Sequence, residues 1–280
     1  MNSSEINNFE KKIWIFWLQG WEYAPQIIKE CKNSWIKNNP DWQIILLDKY
    51  SINLYIKLDY INKFKNLNIA HKSDLIRLEL LEKYGGVWVD ASLFCMMPLD
   101  NWLFNYLQSG IFLFTSSTNL TIIANWFIAS KKNHITISRM KNRLTSYWIE
   151  NNFYKLNIFT RFLRKVITPI LNLNKTTSRL WLNPFVIKLF KIYPYQIFYF
   201  IFESIISKEI IHREIWIKTP KINKYICWPY QDPMDHPKEE LLNRINNEFV
   251  PIMKLNWRGS NYEKLPSNSL ISYLKNKYNN

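Results

Sequence analysis

The stretch at residues 70–98 constrains the fold most, because it combines a helix, a glycine stop and a strand in close succession. Five aliphatic residues follow Ser73 within eight positions and supply a wide apolar face, so Ser73 is expected to cap a helix. The pair Gly85-Gly86 is expected to end it, since glycine takes the left-handed conformation without strain. Residues 87–89, Val-Trp-Val, are typical of a buried strand, which Asp90 closes.

Three charged side chains of this stretch are placed to form a site. Asp74 and Arg77 lie three residues apart, so they share one face of the helix. Asp90 follows a buried strand, and open α/β sheets bind ligands at the carboxyl ends of their strands. A carboxylate there suits a hard cation such as Mg²⁺ or Mn²⁺. The pattern equally allows a structural interpretation, in which Asp74 pairs with Arg77 and Asp90 only begins a turn.

The chain before this stretch indicates a β-α-β unit. Residues 13–17 predict a first buried strand, Pro25 begins a helix that runs to about Lys37, and residues 42–47 predict a second strand. Such a unit implies a parallel pair with a right-handed crossover. The fold class is therefore α/β.

The motif S-D-L-I-R-L…Y-G-G-V-W-V-D-A-S at residues 73–92 resembles the core motif of the capsular polysaccharide synthesis family. That family groups with D-x-D-type glycosyltransferases, which include yeast mannosyltransferases and clostridial glucosylating toxins. The resemblance implies a GT-A-like nucleotide-diphospho-sugar transferase fold: a mixed central sheet flanked by helices, with an additional helical insertion. It also implies a bacterial enzyme, usually retaining, that moves a sugar from a nucleotide-sugar donor to a polysaccharide or lipid-linked oligosaccharide in capsule or surface polysaccharide synthesis.

The same resemblance assigns the central residues. Asp90 would hold the donor diphosphate through Mn²⁺ or Mg²⁺, and the second Asp of D-x-D is replaced by Ser92, whose hydroxyl would ligate directly or through water. Asp74 and Arg77 would act with Asp90 in catalysis and bind ribose, sugar hydroxyls or phosphate, and Gly86 would belong to the donor side.

Further candidates come from segments that resemble the family more loosely. Trp17 would stack on the nucleotide base, although an aromatic in an apolar run is also typical of a core. Asn125, in N-W-F-I-A-S, would face the donor, although it also suits the surface of a helix. A closing segment resembling the family's K-L-x-W supplies Lys254, Asn256, Trp257 and Arg258, whose cations would neutralise the leaving diphosphate. A plain surface strand would show the same mix of residues.

The acceptor side is expected in a loop rich in Pro and Asp. Asp235 and His236 are the candidates there. Alternatively, His236 only caps the helix expected at residues 238–247.

Residues 153–199, here called the basic segment, differ from the rest of the chain. No Asp or Glu occurs from 151 to 202, and eight Lys and Arg alternate with aromatic and aliphatic residues. Pro169, Pro184 and Pro194 are expected to divide it into short helices. Such a run favours docking on an anionic membrane surface, although basic outer faces of helices packed on the core would give the same pattern.

Composition restricts the remaining possibilities. The net charge of +15 suits anionic lipid or a nucleotide sugar, and because no nucleic-acid-binding motif occurs we expect no nucleic-acid partner. Three scattered cysteines indicate a reducing compartment. No signal peptide at residues 1–12 and no membrane-spanning run are expected, so the predicted location is cytoplasmic, with peripheral attachment to the inner membrane.

These features predict three parts and leave two functions open. The parts are a nucleotide-sugar-binding α/β part at 1–152, the basic segment at 153–199, and a C-terminal part of the catalytic domain at 200–280. The first function is the metal-dependent glycosyltransferase. The alternative is a non-catalytic, membrane-associated scaffold of a polysaccharide assembly complex that retains the fold.

Overall fold

A computed structural model describes residues 9–57, 59–64, 67–118, 120–151, 158–258 and 264–278. Residues 1–8, on which most of the expectation of no signal peptide at 1–12 depends, lie outside the described residues. The first five residues of the basic segment lie outside them as well.

Two β-sheets organise the part of the chain that the structure describes. The strands are β1 (Lys12–Phe16), β2 (Gln43–Leu47), β3 (Gly86–Asp90), β4 (Leu93–Cys95), β5 (Ile111–Thr115), β6 (Ile123–Ser130) and β7 (Ile252–Lys254). The larger sheet has the order β2-β1-β3-β6-β5, and the smaller pairs β4 with β7. Strands β2, β1 and β3 are parallel, whereas β6 runs antiparallel to both β3 and β5. The predicted mixed central sheet and the parallel β-α-β start are confirmed.

Helices cover both faces of the larger sheet. They are α1 (Gln26–Asn38), α2 (Asp59–Asn62), α3 (Ile69–Tyr84), α4 (Ile135–Glu150), α5 (Ile158–Leu171), α6 (Lys175–Ser178), α7 (Pro184–Phe190), α8 (Ile197–Lys208), α9 (Ile210–Lys218), α10 (Glu239–Asn247) and α11 (Leu270–Tyr278). Short 3-10 helices occur at Trp21–Tyr23, Ser51–Leu54, Leu99–Asn101, Leu103–Tyr106, Arg179–Leu182 and Lys224–Cys227.

The alternation of strand residues creates a hydrophobic layer on each face of the sheet. Ile13 and Ile15 of β1 pack in the layer that contains α1. Trp14 and Phe16 point the other way, into the layer formed with α3, α4 and α8. Trp14 and Trp88 are almost completely buried, and each such side chain stabilises the fold by roughly 1.5–3 kcal/mol. Both faces of the central strands are therefore covered by apolar layers.

Helix α3 begins earlier than predicted and ends where predicted. Asn68, rather than Ser73, is the N-cap, and its side chain accepts a hydrogen bond from the backbone N–H of His71. Gly85 ends the helix with a φ of 67°. Gly86 follows with a φ of 92°, and a Cβ there would lie 2.5 Å from the carbonyl oxygen of Lys12. The second glycine is therefore needed for close approach of β3 to β1.

The basic segment is mostly helical where it is described, and Pro194 lies in the break between α7 and α8, but Pro169 does not break a helix. Pro169 lies inside α5, and Pro184 is the first residue of α7, as proline's fixed φ favours. The boundary predicted after residue 199 falls inside α8, whose apolar residues pack in the core beneath the sheet. The division into three parts remains a prediction.

Two further findings concern membrane-spanning helices and the cysteines. In the described ranges no helix combines the length and apolarity required to cross a bilayer. Cys31, Cys95 and Cys227 are free, buried thiols.

Candidate active site

A cavity of about 820 Å³ opens at the carboxyl ends of β1 and β3. Residues from β1, α3, β3, β6, α8 and the segment after β7 meet there because the sheet brings the strand ends together. The sequence-predicted residues that line it are Trp17, Asp74, Arg77, Asp90, Ser92, Asn125, Lys254, Asn256, Trp257 and Arg258. Gly86 does not line it, since it lies at the opposite end of β3 from Asp90.

One wall of the cavity is a buried polar network between α3 and β6. Asp74 and Arg77 are each 4% exposed and form an ion pair, with Nη1 of Arg77 3.1 Å from Oδ1 of Asp74. Asn125 donates its side-chain N–H to Asp74 over 2.8 Å, and its backbone carbonyl accepts from Arg77 over 2.6 Å. Asn125 lies on strand β6, so the alternative of a helix-surface asparagine is wrong.

Arg77 connects this network to Asp90. Its Nη2 lies 3.4 Å from Oδ1 of Asp90, and its guanidinium lies over the rings of Trp88 and Phe198 at 5.1 and 5.8 Å. The indole N–H of Trp88 also donates to Asp90 Oδ1 over 3.1 Å. Arg77 therefore makes both contacts: it pairs with Asp74, as the structural interpretation of the sequence predicted, and it also contacts Asp90 in the cavity.

The second oxygen of Asp90 faces a lysine that comes from the far end of the chain. Nζ of Lys254 lies 3.2 Å from Oδ2 of Asp90 and 2.9 Å from Oγ of Ser92. Strand β7 places it there, since Lys254 pairs with Leu93 and the N–H of Leu255 donates to the carbonyl of Ser92. Burial alone would raise the pKa of Asp90, but Lys254 and Arg77 outweigh it and hold that pKa below its ordinary value. Asp90 is therefore a carboxylate at neutral pH.

The predicted metal ligands do not fit a divalent cation as they stand. Asp90 offers one carboxylate, and each of its oxygens already faces a cationic side chain. Ser92 Oγ accepts from the same lysine. In the described part of the chain, no group of three or more His, Cys, Asp or Glu side chains is arranged to hold a metal ion. Hard cations prefer several anionic or carbonyl oxygens, which this donor set lacks.

Aromatic and basic residues form the rim near the end of β1. The Trp17 ring is 9% exposed and packs edge-to-face on Trp257, with ring centroids 5.0 Å apart. Trp257 is half-buried, and the Arg258 guanidinium lies 5.4 Å from its ring. Trp257 therefore has more free surface for a planar ligand than Trp17, which supports it from behind.

The predicted acceptor residues lie outside the cavity. Asp235 and His236 are exposed and pack against the start of α11: the carbonyl of Asp235 accepts from Leu270 N–H, and Nδ1 of His236 lies 3.1 Å from the carbonyl of Asn268. His236 does not cap α10, because Lys238 is its N-cap. The cavity is lined instead by the preceding residues of the same loop, from Trp228 to Asp232.

Sequence reasoning missed two parts of the site. Tyr199 of α8 donates its hydroxyl to Oδ1 of Asn125 over 2.6 Å, and burial followed by the charge of Asp74 raises its pKa. The other part is Trp228 with Tyr230, which are 38% and 62% exposed. Tyr230 has a φ of 56°, rare for a non-glycine residue. The aromatic W-P-Y spacing was the only local signal for this pair.

Curated relatives match about half of this chain. The O-glycosyltransferase braB of Annulohypoxylon truncatum is 26% identical over 160 residues, which cover 50% of this chain and 38% of that protein. The glycosyltransferase afumC of Aspergillus fumigatus is 26% identical over 158 residues, covering 49% and 40%. The chain thus spans about two fifths of the length of these relatives.

Two solved structures show a partial likeness. The PaToxG glycosyltransferase has a TM-score of 0.40 at 15% identity, covering 66% of this chain and 79% of that one. The catalytic domain of alpha-toxin from Clostridium novyi has a TM-score of 0.45 at 12% identity, covering 74% and 76%.

A family description matches the part of the chain that builds the sheet and the polar network. The protein-family model described as "Capsular polysaccharide synthesis protein" matches residues 1–166. These residues include β1 to β6 and the motif with Asp74, Arg77 and Asp90. That match spans more than half of the chain. The protein is therefore a member of the capsular polysaccharide synthesis protein family.

Proposed function

We propose that this protein is a glycosyltransferase that takes a sugar from a nucleotide-sugar donor to a saccharide or lipid-linked acceptor in capsule or surface polysaccharide synthesis. The observation that carries this is the cavity at the strand ends, where Asp90 meets Lys254 and the buried Asp74–Arg77 pair. The two curated relatives are themselves named glycosyltransferases, and they share about a quarter of the residues that align.

The proposed reaction transfers a glycosyl group from a nucleoside diphosphate to an acceptor hydroxyl. The bond between the anomeric carbon and the β-phosphate oxygen breaks, and its electron pair stays on the leaving nucleoside diphosphate. An acceptor hydroxyl oxygen forms the new bond to that carbon and releases its proton to solvent. The developing negative charge is the feature that an enzyme must stabilise, and cations fixed in a partly buried site do so efficiently.

On this proposal, some residues of the cavity contact the donor and others hold those residues in position. Lys254 and Arg258 supply positive charge for the diphosphate, and Trp257 offers a ring for the base. Asp90 orients Lys254, while Asp74, Asn125 and Tyr199 keep Arg77 in place. Preorganised groups act without reorganising during the reaction, which is why such buried pairing favours catalysis.

The acceptor enters, on this proposal, along Trp228 and Tyr230. Both rings line the cavity and are well exposed, and aromatic faces are suited to packing against the apolar face of a sugar. Gln231 and Asp232 follow them on the same wall and offer hydrogen-bonding groups for hydroxyls. This assignment replaces the acceptor role predicted for Asp235 and His236.

A screen of nucleotide sugars tests the function. Turnover is measured as release of nucleoside diphosphate, with and without added saccharide, for the wild type and Asp90→Asn. Asp41→Asn is the matched control, because Asp41 is exposed and lies outside the cavity. We expect turnover with at least one donor, reduced by Asp90→Asn and unchanged by Asp41→Asn. The anomeric configuration of the product, read by NMR, tests the retaining outcome that the family resemblance implies.

The scaffold alternative makes the opposite forecast. A non-catalytic protein that retains the fold would release no nucleoside diphosphate from any donor, and Asp90→Asn would behave like the wild type. Absence of turnover across the panel, in protein shown to be folded, would favour the scaffold.

We also propose that the basic segment docks on an anionic membrane surface. Phe162, Val166 and Ile170 recur every four residues on α5 and are all exposed, as are Ile158 and Phe159 before them. Arg161 and Lys165 border this stripe and are exposed as well. An apolar stripe with basic flanks suits the headgroup boundary of an anionic leaflet, since rings and aliphatic chains enter it while cations meet lipid phosphates. The exposed stripe on α5 supports docking, while Leu171, Trp181 and Ile187 of the same segment are buried in apolar clusters, as the alternative of packing on the core expects.

Vesicle flotation tests docking. The Arg161, Lys165, Lys188 and Lys191 to Gln variant should lose binding to anionic vesicles, whereas the Lys57, Lys63, Lys238 and Lys264 to Gln variant removes equal charge elsewhere and should keep it. Binding of the wild type should weaken with salt, because exposed charges are screened over about 8 Å at physiological ionic strength. If the two variants float equally, or the wild type does not float, the segment is only structural.

A further inference from the structure

We propose that Lys254 takes the place of the divalent cation, so that this chain binds the donor diphosphate without metal. The inference rests on the proposed function, because it concerns the same diphosphate. It departs from the expectation that Asp90 and Ser92 hold Mn²⁺ or Mg²⁺.

The position of Lys254 is built into the backbone. Strand β7 is hydrogen-bonded to β4, and Lys254 lies opposite Leu93, the residue next to Ser92. From there its ammonium reaches both groups of the D-A-S motif, 3.2 Å from Asp90 Oδ2 and 2.9 Å from Ser92 Oγ. Both partners are the proposed metal ligands, so a cation bound to them would have to displace Lys254.

The charges of the site disfavour that displacement. Asp90 is held between Lys254 on one oxygen and Arg77 on the other. The carboxylate of Asp74 is already paired with Arg77 and hydrogen-bonded to Asn125. A divalent ion placed between Asp90 and Ser92 would therefore enter beside two cations, with Asp90 as the carboxylate among its two proposed ligands, and like charges at such distances repel strongly in a partly buried site.

Ser92 is consistent with this arrangement. An aspartate at that position would form a second ion pair with Lys254 and neutralise its remaining charge. The hydroxyl of Ser92 accepts from Lys254 without a charge of its own, so the ammonium keeps positive field for a phosphate. The replacement of the second Asp and the lysine on β7 thus complement each other.

The ammonium group of Lys254 is able to bind the donor diphosphate in place of a metal ion. Lysine binds phosphate oxygens as a point charge with three N–H donors. Near the bond that breaks, Lys254 would stabilise the electron pair retained by the diphosphate, and it exchanges no proton in the step. Its side chain is 20% exposed, so it is accessible from the cavity and yet partly desolvated, which strengthens the interaction.

Calorimetry with a panel of nucleoside diphosphates (UDP, GDP, ADP and CDP) tests the inference without using activity. The affinity of the wild type for the best of these should be unchanged by EDTA or by added Mn²⁺. Lys254→Gln should weaken it by at least about tenfold in EDTA, because a charge-assisted contact is lost, and Lys254→Arg should retain more of it. Lys57→Gln, on an exposed residue away from the cavity, is the control. Loss of affinity in EDTA with recovery in Mn²⁺ would overturn the inference.

A second measurement separates this inference from the proposed function. Binding of Mn²⁺ alone is followed by electron paramagnetic resonance. We expect none at Asp90 in the wild type, and a new site in the double variant Ser92→Asp with Lys254→Gln. A Mn²⁺ site in the wild type that disappears in Asp90→Asn would refute the role of Lys254, whatever nucleotide binds. If no nucleoside diphosphate binds under any condition, the proposed function fails, while the Mn²⁺ result still decides whether Lys254 excludes the metal.

Discussion

The cavity and the basic segment use the same kinds of side chain in opposite ways. In the cavity Arg77 is 4% exposed, pairs with Asp74 and Asp90, and lies over two aromatic rings. On α5, Arg161 is exposed, and within the described residues it forms no ion pair; Phe162 beside it is 62% exposed. Buried charges fix the geometry of a site, whereas exposed charges with exposed rings remain available to a partner. The comparison teaches that basic and aromatic composition does not by itself indicate a role.

The largest expected difference between the two regions is in stability. Arg77→Ala should lower the free energy of unfolding by about 3–5 kcal/mol, because it leaves buried Asp74 without its partner. Arg161→Ala should change it by no more than about 0.5 kcal/mol, since it is an exposed substitution. Urea unfolding of both variants measures the gap, and equal losses would contradict the assignment of Arg77 to a buried network.

The next difference is in turnover. Asp90→Asn should lower turnover by at least about tenfold, or about 1.4 kcal/mol of transition-state stabilisation, because Lys254 loses the carboxylate that orients it. The four-residue Gln variant of the basic segment should keep wild-type donor hydrolysis in the absence of membrane. Normal turnover in a folded Asp90→Asn protein would contradict the proposed role of Asp90 in the reaction.

A smaller effect concerns the link between α8 and the cavity. Tyr199→Phe removes the hydrogen bond to Asn125 and should cost about 1 kcal/mol of stability. Tyr50→Phe is the matched control, because Tyr50 is 73% exposed. Thermal unfolding of the two variants measures the difference, and indistinguishable values would mean that the Tyr199 hydroxyl adds no net stability.

The smallest effect is the pH dependence of the Asp90 contribution. Its pKa in the folded protein is below the ordinary value of 3.8, so the ionised carboxylate stabilises the folded state fully above that value. The contribution is lost as the pH falls through the folded pKa. The stability difference between wild type and Asp90→Asn should therefore be constant near neutrality and shrink below about pH 4. A difference that grows on acidification would contradict the depressed pKa.

The sequence by itself determined the strands β1, β2 and β3 and the position of Asp90 at the end of β3. Uninterrupted apolar runs in β1 and β3 require burial on both faces of the sheet, and Gly85 ends α3 because positive φ is available to it. The three-residue spacing of Asp74 and Arg77 places them on one helix face, whatever the rest of the chain does. These results follow from local periodicity and backbone sterics, which a sequence carries directly.

Only the tertiary structure decided what surrounds Asp90. Lys254 lies 164 residues from it in the chain, and pairing of β7 with β4 brings them together. The same kind of long-range packing brings Tyr199 to Asn125, places Trp228 and Tyr230 in the cavity and leaves Asp235 and His236 outside it. Local patterns do not specify such contacts, because they depend on which strands and helices meet. The presence of Lys254 beside Asp90 is therefore a property of the fold that the motif alone does not specify.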